Sequence, residues 1–186
     1  MKNRAAIQQL TLTAAVTAIL VVCTWVTIPM PSGVPITLQT FAAALCGYIL
    51  GVKWGAVSIV LYWAMGAAGL PVFSGFGAGI GQLLGPTGGF LWGFLILAVG
   101  CGFGRVSDTK KPAGRIVKAV LLGGLGLAGC HMLGILQFAA VTGRRPWEAF
   151  LLVSLPYLLK DAVSVGVAWL VGSRVTRIIQ KTKWAR

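Results

Sequence analysis

Long apolar stretches, separated by short polar, glycine-rich or proline-rich breaks, set the rhythm of this chain. Their lengths approach the ~20 residues that a helix needs to cross a bilayer. The pattern predicts a first helix over about 5–28, ended by Pro29 and Pro31, a second over 38–51 and a third over 54–69. A fourth follows over 86–104 and a fifth over 116–140. From Pro146 to Ile179 the chain is almost continuously apolar. As one helix that stretch would be about 50 Å long, well beyond a ~30 Å hydrocarbon core. Pro156 resolves the excess, because proline breaks a helix interior and suits a helix start. The region therefore divides into a short helix at 146–154 and a sixth span at 156–177. The expectation is an all-α integral membrane protein, one domain over 1–186, with six transmembrane helices and a short outer-side helix before the sixth.

The breaks carry as much information as the runs. Residues 69–90 hold many glycines and no charge between two apolar runs. Glycine allows sharp turns and close approach, and irregular chain at membrane depth is tolerated where it is buried or lines a cavity. This segment is read as the floor of a small-molecule pocket. Residues 30–40 form a proline-stiffened outer loop whose Thr37, Gln39 and Thr40 could cap the second helix or contact a ligand. Thr11, Thr13, Thr17 and Thr24 can bond back to their own helix and require no function. Ala14 and Ala18 make one small-residue face, suited to packing within the chain or to docking a second membrane protein. Gly47 and Gly51 are read as another close-packing pair.

Composition sharpens the class. Of 186 residues, 57 % are hydrophobic and 10 % charged, against roughly 25 % charged in a soluble domain. A net charge of +13 would suit nucleic acid if it formed a patch, but it is distributed by connector. Lys2, Arg4, Lys53, Arg105, Lys110, Lys111, Arg115 and Lys118, with the basic tail from Arg174 to Arg186, all fall on one side of a six-span chain. This is the positive-inside bias; it places both termini in the cytoplasm and gives no reason to invoke nucleic acid. Cys23, Cys46, Cys101 and Cys130 lie in apolar runs without a C-x-x-C pair and are read as reduced, buried thiols. The first apolar run, Leu10 to Ile28, exceeds a signal-peptide core and is read as a span.

Few residues are left to carry chemistry. Asp108 belongs to the soluble connector, and Glu148 suits the first turn of the short helix. Asp161 remains, beside Lys160, in the first two turns of the sixth span near the outer face. The two could neutralise each other, but adjacent helical residues do not face one another, so at least one needs a further partner. An ionisable residue at membrane depth is by default a binding-site hypothesis. His131 and Gln137 on the fifth helix are either interhelical hydrogen-bonders or ligand contacts. The ligand set for a metal is missing, as are paired catalytic carboxylates. The run Gly75-Phe-Gly-Ala-Gly-Ile-Gly follows a membrane helix rather than a strand, so it is not a dinucleotide fingerprint. Phe73, Phe76 and Trp92, close to the glycine loop, could line a pocket.

Taken in order, Val34-Pro-Ile-Thr-Leu-Gln-Thr40, Gly51-Val-Lys-Trp-Gly-Ala56, Gly69-Leu-Pro-Val-Phe-Ser74, Leu84-Gly-Pro-Thr-Gly-Gly-Phe90 and Leu155-Pro-Tyr-Leu-Leu-Lys-Asp161 closely resemble the BioY family. Those proteins are the biotin-specific substrate-binding (S) components of energy-coupling-factor transporters. The resemblance spans nearly the whole chain. It implies a protein of the cell membrane, not an enzyme, that captures biotin from outside. Biotin is then delivered together with a transmembrane coupling protein and two cytoplasmic ATPase subunits. With no P-loop in the sequence, ATP hydrolysis is expected in those partners, and no cofactor is expected in this chain. Membrane lipid is the remaining expected partner.

By the same resemblance, the pocket forms from the first outer loop, the glycine loop and the outer start of the sixth span. Substrate contacts are then expected from Thr37, Gln39, Phe73, Ser74, Gly75, Gln82, Trp92, Lys160 and Asp161, and partner docking from Ala14 and Ala18. Asp161 matches the family aspartate, and a carboxylate suits ureido N–H donors. The family often carries a lysine three residues after that aspartate. Here that position is Ser164, and Lys160 precedes the acid instead. The rival readings are an S component for another vitamin and a small membrane enzyme using His131 and Asp161.

Overall fold

The computed structural model describes residues 2–31, 33–105 and 112–181. Helices α1 (Lys2–Trp25), α2 (Gln39–Ala67), α4 (Gly88–Phe103), α5 (Pro112–Thr142) and α7 (Leu155–Lys181) form a bundle. Two short helices, α3 (Ile80–Leu84) and α6 (Pro146–Val153), lie between the long ones. Four helical stretches are long and apolar enough to cross a membrane: Ala6–Trp25, Gln39–Ala67, Gly114–Thr142 and Leu155–Gln180. Gly88–Phe103 is a shorter apolar helix.

The stretch Gln39–Ala67 is two helical halves, broken at Gly51. Gly51 leaves the helical region with φ 78° and ψ −176°, a conformation open to glycine and strained for other residues. In a straight helix, residues 12 and 23 positions apart would be about 18 Å and 35 Å apart. Yet Ser58 Oγ lies 3.4 Å from Cys46 Sγ, and Gln39 Nε2 donates to Tyr62 OH at 2.7 Å, across those two separations. The chain therefore reverses at Gly51, and the halves 39–50 and 52–67 pack antiparallel. The expected second and third helices both exist, but Gly51 is their turn rather than a packing partner of Gly47.

Other expectations shift at the edges. α1 ends at Trp25, three residues before the expected limit, because the residue before Pro29 is biased to extended backbone. Thr27–Ile28 (β1) instead pairs antiparallel with Ile36–Thr37 (β2), adding a two-stranded ladder to a fold expected to be all helix. Within the glycine loop, Ser74–Phe76 makes a tight 3-10 turn and Ile80–Leu84 the unexpected α3. The break at Pro156 holds: α6 closes at Val153, Ser154 intervenes, and Pro156 is the second residue of α7. Glu148 Oε2 accepts the Arg145 N–H at 3.4 Å at the start of α6, as an acid in a first turn should. Most of the 105–115 connector lies outside the described residues.

Lipid tails are as apolar as leucine, so helices in a membrane are held by close contact and buried hydrogen bonds. The α4–α5 seam illustrates the first. A Cβ on Gly100 would stand 2.6 Å from Leu122 O and 3.1 Å from the Gly126 Cα. The threonines of α1 illustrate the second. Thr11, Thr13, Thr17 and Thr24 each donate to the carbonyl four residues earlier, and Thr17 also meets Ser58 Oγ at 2.8 Å. Leu20, Ile59, Tyr62 and Leu97 form a fully buried centre between α1, α2 and α4. Cys46, Cys101 and Cys130 are buried free thiols, and Cys23 is half-buried.

Candidate functional site

The polar groups gather at the end of the bundle where α2 begins. The β1–β2 ladder holds the 29–38 loop against this end, delivering Thr37 and Gln39 to the start of α2. The Thr37 hydroxyl accepts the Gln39 N–H and donates to Gln39 Oε1, both at 3.3 Å. Thr37 thus satisfies an otherwise orphaned helix donor and also fixes the Gln39 amide. The other end of that amide is held by Tyr62, whose hydroxyl also lies 3.4 Å from Thr24 Oγ1. These side chains hold one another in place.

The glycine loop is clamped from both flanks. Phe73 packs onto Gly66 and stands edge-on to Tyr62, with ring centroids 5.2 Å apart. Its N–H closes the loop onto Gly77 O at 3.0 Å. On the far flank, Trp92 Nε1 and Gln137 Nε2 both donate to Leu83 O, at 3.0 and 2.9 Å, and Gln137 reaches Gly85 O at 2.8 Å. Trp92 also stacks edge-on with Trp63 at 4.7 Å. Loop carbonyls that would be orphaned are thereby satisfied from neighbouring helices.

From α7 comes the charged corner. Asp161 is buried, and its carboxylate is bracketed from two sides. Lys160 Nζ lies 2.5 Å from Oδ1, and His131 Nε2 lies 3.3 Å from Oδ2. Thr40 lines the same cavity as the acid. Lys160 further donates to Thr37 O at 3.0 Å, and the Tyr157 hydroxyl donates to Val34 O. Two side chains of α7 thus tie down the first outer loop. Each of the two neighbours finds a further partner, Asp161 in His131 and Lys160 in the Thr37 carbonyl, as their divergence on the helix predicts. The four-carbon lysine stem also folds back to its neighbour.

Between these groups lies a cavity. Thr37, Gln39, Ser74, Gln82, Lys160 and Asp161 contribute its polar wall, with Thr40 and Thr87. Phe73, Phe90, Leu91, Phe94 and Val153 make its apolar wall. Of the nine residues expected to contact substrate, the cavity gathers Thr37, Gln39, Phe73, Ser74, Gln82, Lys160 and Asp161. Gly75 and Trp92 are not among its lining residues; Trp92 supports the loop from behind. Thr87, Phe90, Phe94 and Tyr157 also line it, and sequence reasoning did not place them there. Phe90 and Phe94 are one helical turn apart on α4, a spacing that could have marked a shared face. Ala14 and Ala18 are exposed on α1, away from this cavity.

A small site with one polar and one apolar wall, a buried carboxylate among its groups, is suited to one compact ligand bearing N–H donors at one end. Comparison with known proteins gives the family. The BioY family model matches residues 1–181. A biotin transporter BioY from Thermotoga maritima is 35 % identical over 162 residues, 87 % of this chain and 92 % of that protein. A probable biotin transporter BioY from Pyrococcus horikoshii is 37 % identical over 142 residues, 76 % of this chain and 80 % of that protein. The fold matches the crystal structure of an S-component for biotin from an ECF-type ABC transporter, with a TM-score of 0.83 and 95 % of each chain covered at 23 % identity. With its family model matched over nearly its whole length, this chain belongs to the BioY family.

Proposed function

We propose that this protein is the biotin-binding membrane subunit of an energy-coupling-factor transporter. The observation that carries the reading is the cavity itself: a buried carboxylate at one wall, ordered amide and hydroxyl groups opposite, and aromatic rings between. Biotin's ureido ring has two N–H donors and one carbonyl acceptor, its second ring is apolar, and its tail ends in a carboxylate. Asp161 takes a ureido N–H in a charge-assisted hydrogen bond. Thr37 and Gln39 serve the ureido or tail oxygens, helped by Ser74 and Gln82 on the glycine loop. Phe73, Phe90 and Phe94 pack against the apolar ring. Lys160 balances the charge of Asp161 and stands in for the lysine that the family carries three residues later.

In this reading the chain crosses the membrane six times, as α1, the two halves of α2, α4, α5 and α7. The cavity faces outside, and both termini and the basic connectors face the cytoplasm. Ala14 and Ala18 form the docking face for a transmembrane coupling protein, which carries two ATPase subunits. The enzyme alternative loses ground because His131 is engaged behind Asp161, and is not among the cavity-lining residues. Calorimetric titration of the purified protein with biotin, and separately with riboflavin and thiamine, tests the assignment. Saturable 1:1 binding of biotin alone is expected; preference for either other vitamin would overturn it.

A further inference from the structure

His131 is placed to do more than fill space between helices. It rises from α5, is 4 % exposed, and touches polar groups at both ring nitrogens. Nδ1 lies 2.8 Å from Ser154 Oγ, at the elbow between α6 and α7, and Nε2 lies 3.3 Å from Asp161 Oδ2. The ring of Phe90 meets it edge-on at 5.7 Å. Lys160 holds the other oxygen of Asp161, but its side chain is 30 % exposed and shares its ammonium with Thr37 O. A flexible four-carbon stem supplies charge without fixing direction. The imidazole, with two torsions and contacts on three sides, fixes direction.

The contacts also select a tautomer. If Nδ1 carried the proton, an Nε2 lone pair would face the carboxylate. The tautomer with its proton on Nε2 matches both neighbours: Nε2–H points at Asp161, and the Ser154 hydroxyl donates to Nδ1. A carboxylate offers about four lone-pair positions. His131 faces Oδ2, while buried Oδ1 has the Lys160 ammonium close by but no hydrogen-bond partner among the described residues, and so is left for a ligand N–H.

We infer that His131, held in its Nε2–H form by Ser154, is a positioning residue that aims the Asp161 carboxylate at the ligand's N–H donor. This deepens the biotin-binding reading and rests on it for its effect on affinity. The ring's tautomer can be read separately, without ligand. His131 is the single histidine in the sequence. Protein labelled with 15N-histidine and purified on a non-histidine tag therefore gives one imidazole signal pair without assignment.

In ligand-free wild-type protein the signals should show a neutral ring protonated at Nε2; a ring protonated at Nδ1, or at both nitrogens, overturns the inference. Titration with biotin then compares two variants. His131→Leu, which cannot donate, should bind roughly 10- to 100-fold more weakly. His131→Gln, whose amide can still donate to Asp161, should recover affinity to within about fivefold of wild type. Equal weakening by both, or unchanged affinity in His131→Leu, sinks the positioning role. Should wild-type protein fail to bind biotin, the functional reading falls, while the 15N spectrum still decides whether His131 donates to Asp161.

Discussion

The two ends of this bundle are built by different rules. At the cavity end, hydrogen bonds between side chains tie elements distant in sequence: Gln39 to Tyr62, His131 to Ser154, Lys160 to the Thr37 carbonyl. At the opposite end the backbones themselves meet. Gly51 turns the chain, Gly102 lies under that turn with a built Cβ 2.6 Å from Val52 N, and Gly100 lies against Leu122 and Gly126. Contacts too close to admit a side chain occur at both ends, Gly66 against Phe73 and Gly88 against Leu83 O among them, but the cavity end adds directional bonds that a ligand can exchange for its own. Both regions need shape; the cavity end needs chemistry as well. A substitution should therefore fail differently at each.

Three substitutions break or sharpen that contrast. Gly100→Leu should have the largest effect, because its side chain would be driven into the α5 backbone. Overpacking costs roughly 1–3 kcal/mol, and more where backbone cannot move; a lower melting temperature and a reduced folded fraction in size-exclusion chromatography are expected. A wild-type melting curve would show that the seam is looser than described. Asp161→Ala comes next, confined to the cavity end. Losing a charge-assisted hydrogen bond costs about 1.5–3 kcal/mol, so biotin should bind on the order of 10- to 100-fold more weakly by calorimetry. Wild-type affinity would remove Asp161 from the site. The smallest effect on the purified protein belongs to Ala18→Trp, on an exposed face of α1. Melting temperature and biotin affinity should stay at wild-type values while uptake by cells carrying the coupling subunits stops. Unimpaired uptake would move the docking face elsewhere.

Much of this was legible in the chain because the governing rules are local. Apolar run length marked the helices, Pro156 marked the break between α6 and α7, and each threonine of α1 found its own carbonyl. Seven of the nine residues expected at the site converge on one cavity, because the loops that supply them are short and stiffened by proline or pinned glycine. What stayed hidden depends on distance in sequence or on side-chain reach. The apolar pattern put a helix boundary between 51 and 54, but nothing local showed that Gly51 itself turns the chain while Gly47 admits a neighbour. The rule that adjacent helical positions diverge by about 100° describes Cβ directions, and the lysine stem is long enough to undo it. Trp92 looked like a ligand contact because it is aromatic and near the loop; its indole N–H was needed by Leu83 O instead. His131 revealed its role only when Ser154 and Asp161 closed on it from another helix.

The turn at Gly51 also imposes an arithmetic on the chain. Gln39 and Tyr62 meet because the halves on either side of the turn return in phase, and a helix advances about 100° per residue. One residue inserted between Gly51 and Tyr62 would swing that tyrosine a quarter-turn or more off its partner, and the Gln39 amide would lose its anchor. Length on each side of the hairpin is thus part of the recognition apparatus, as binding as the identity of any wall residue.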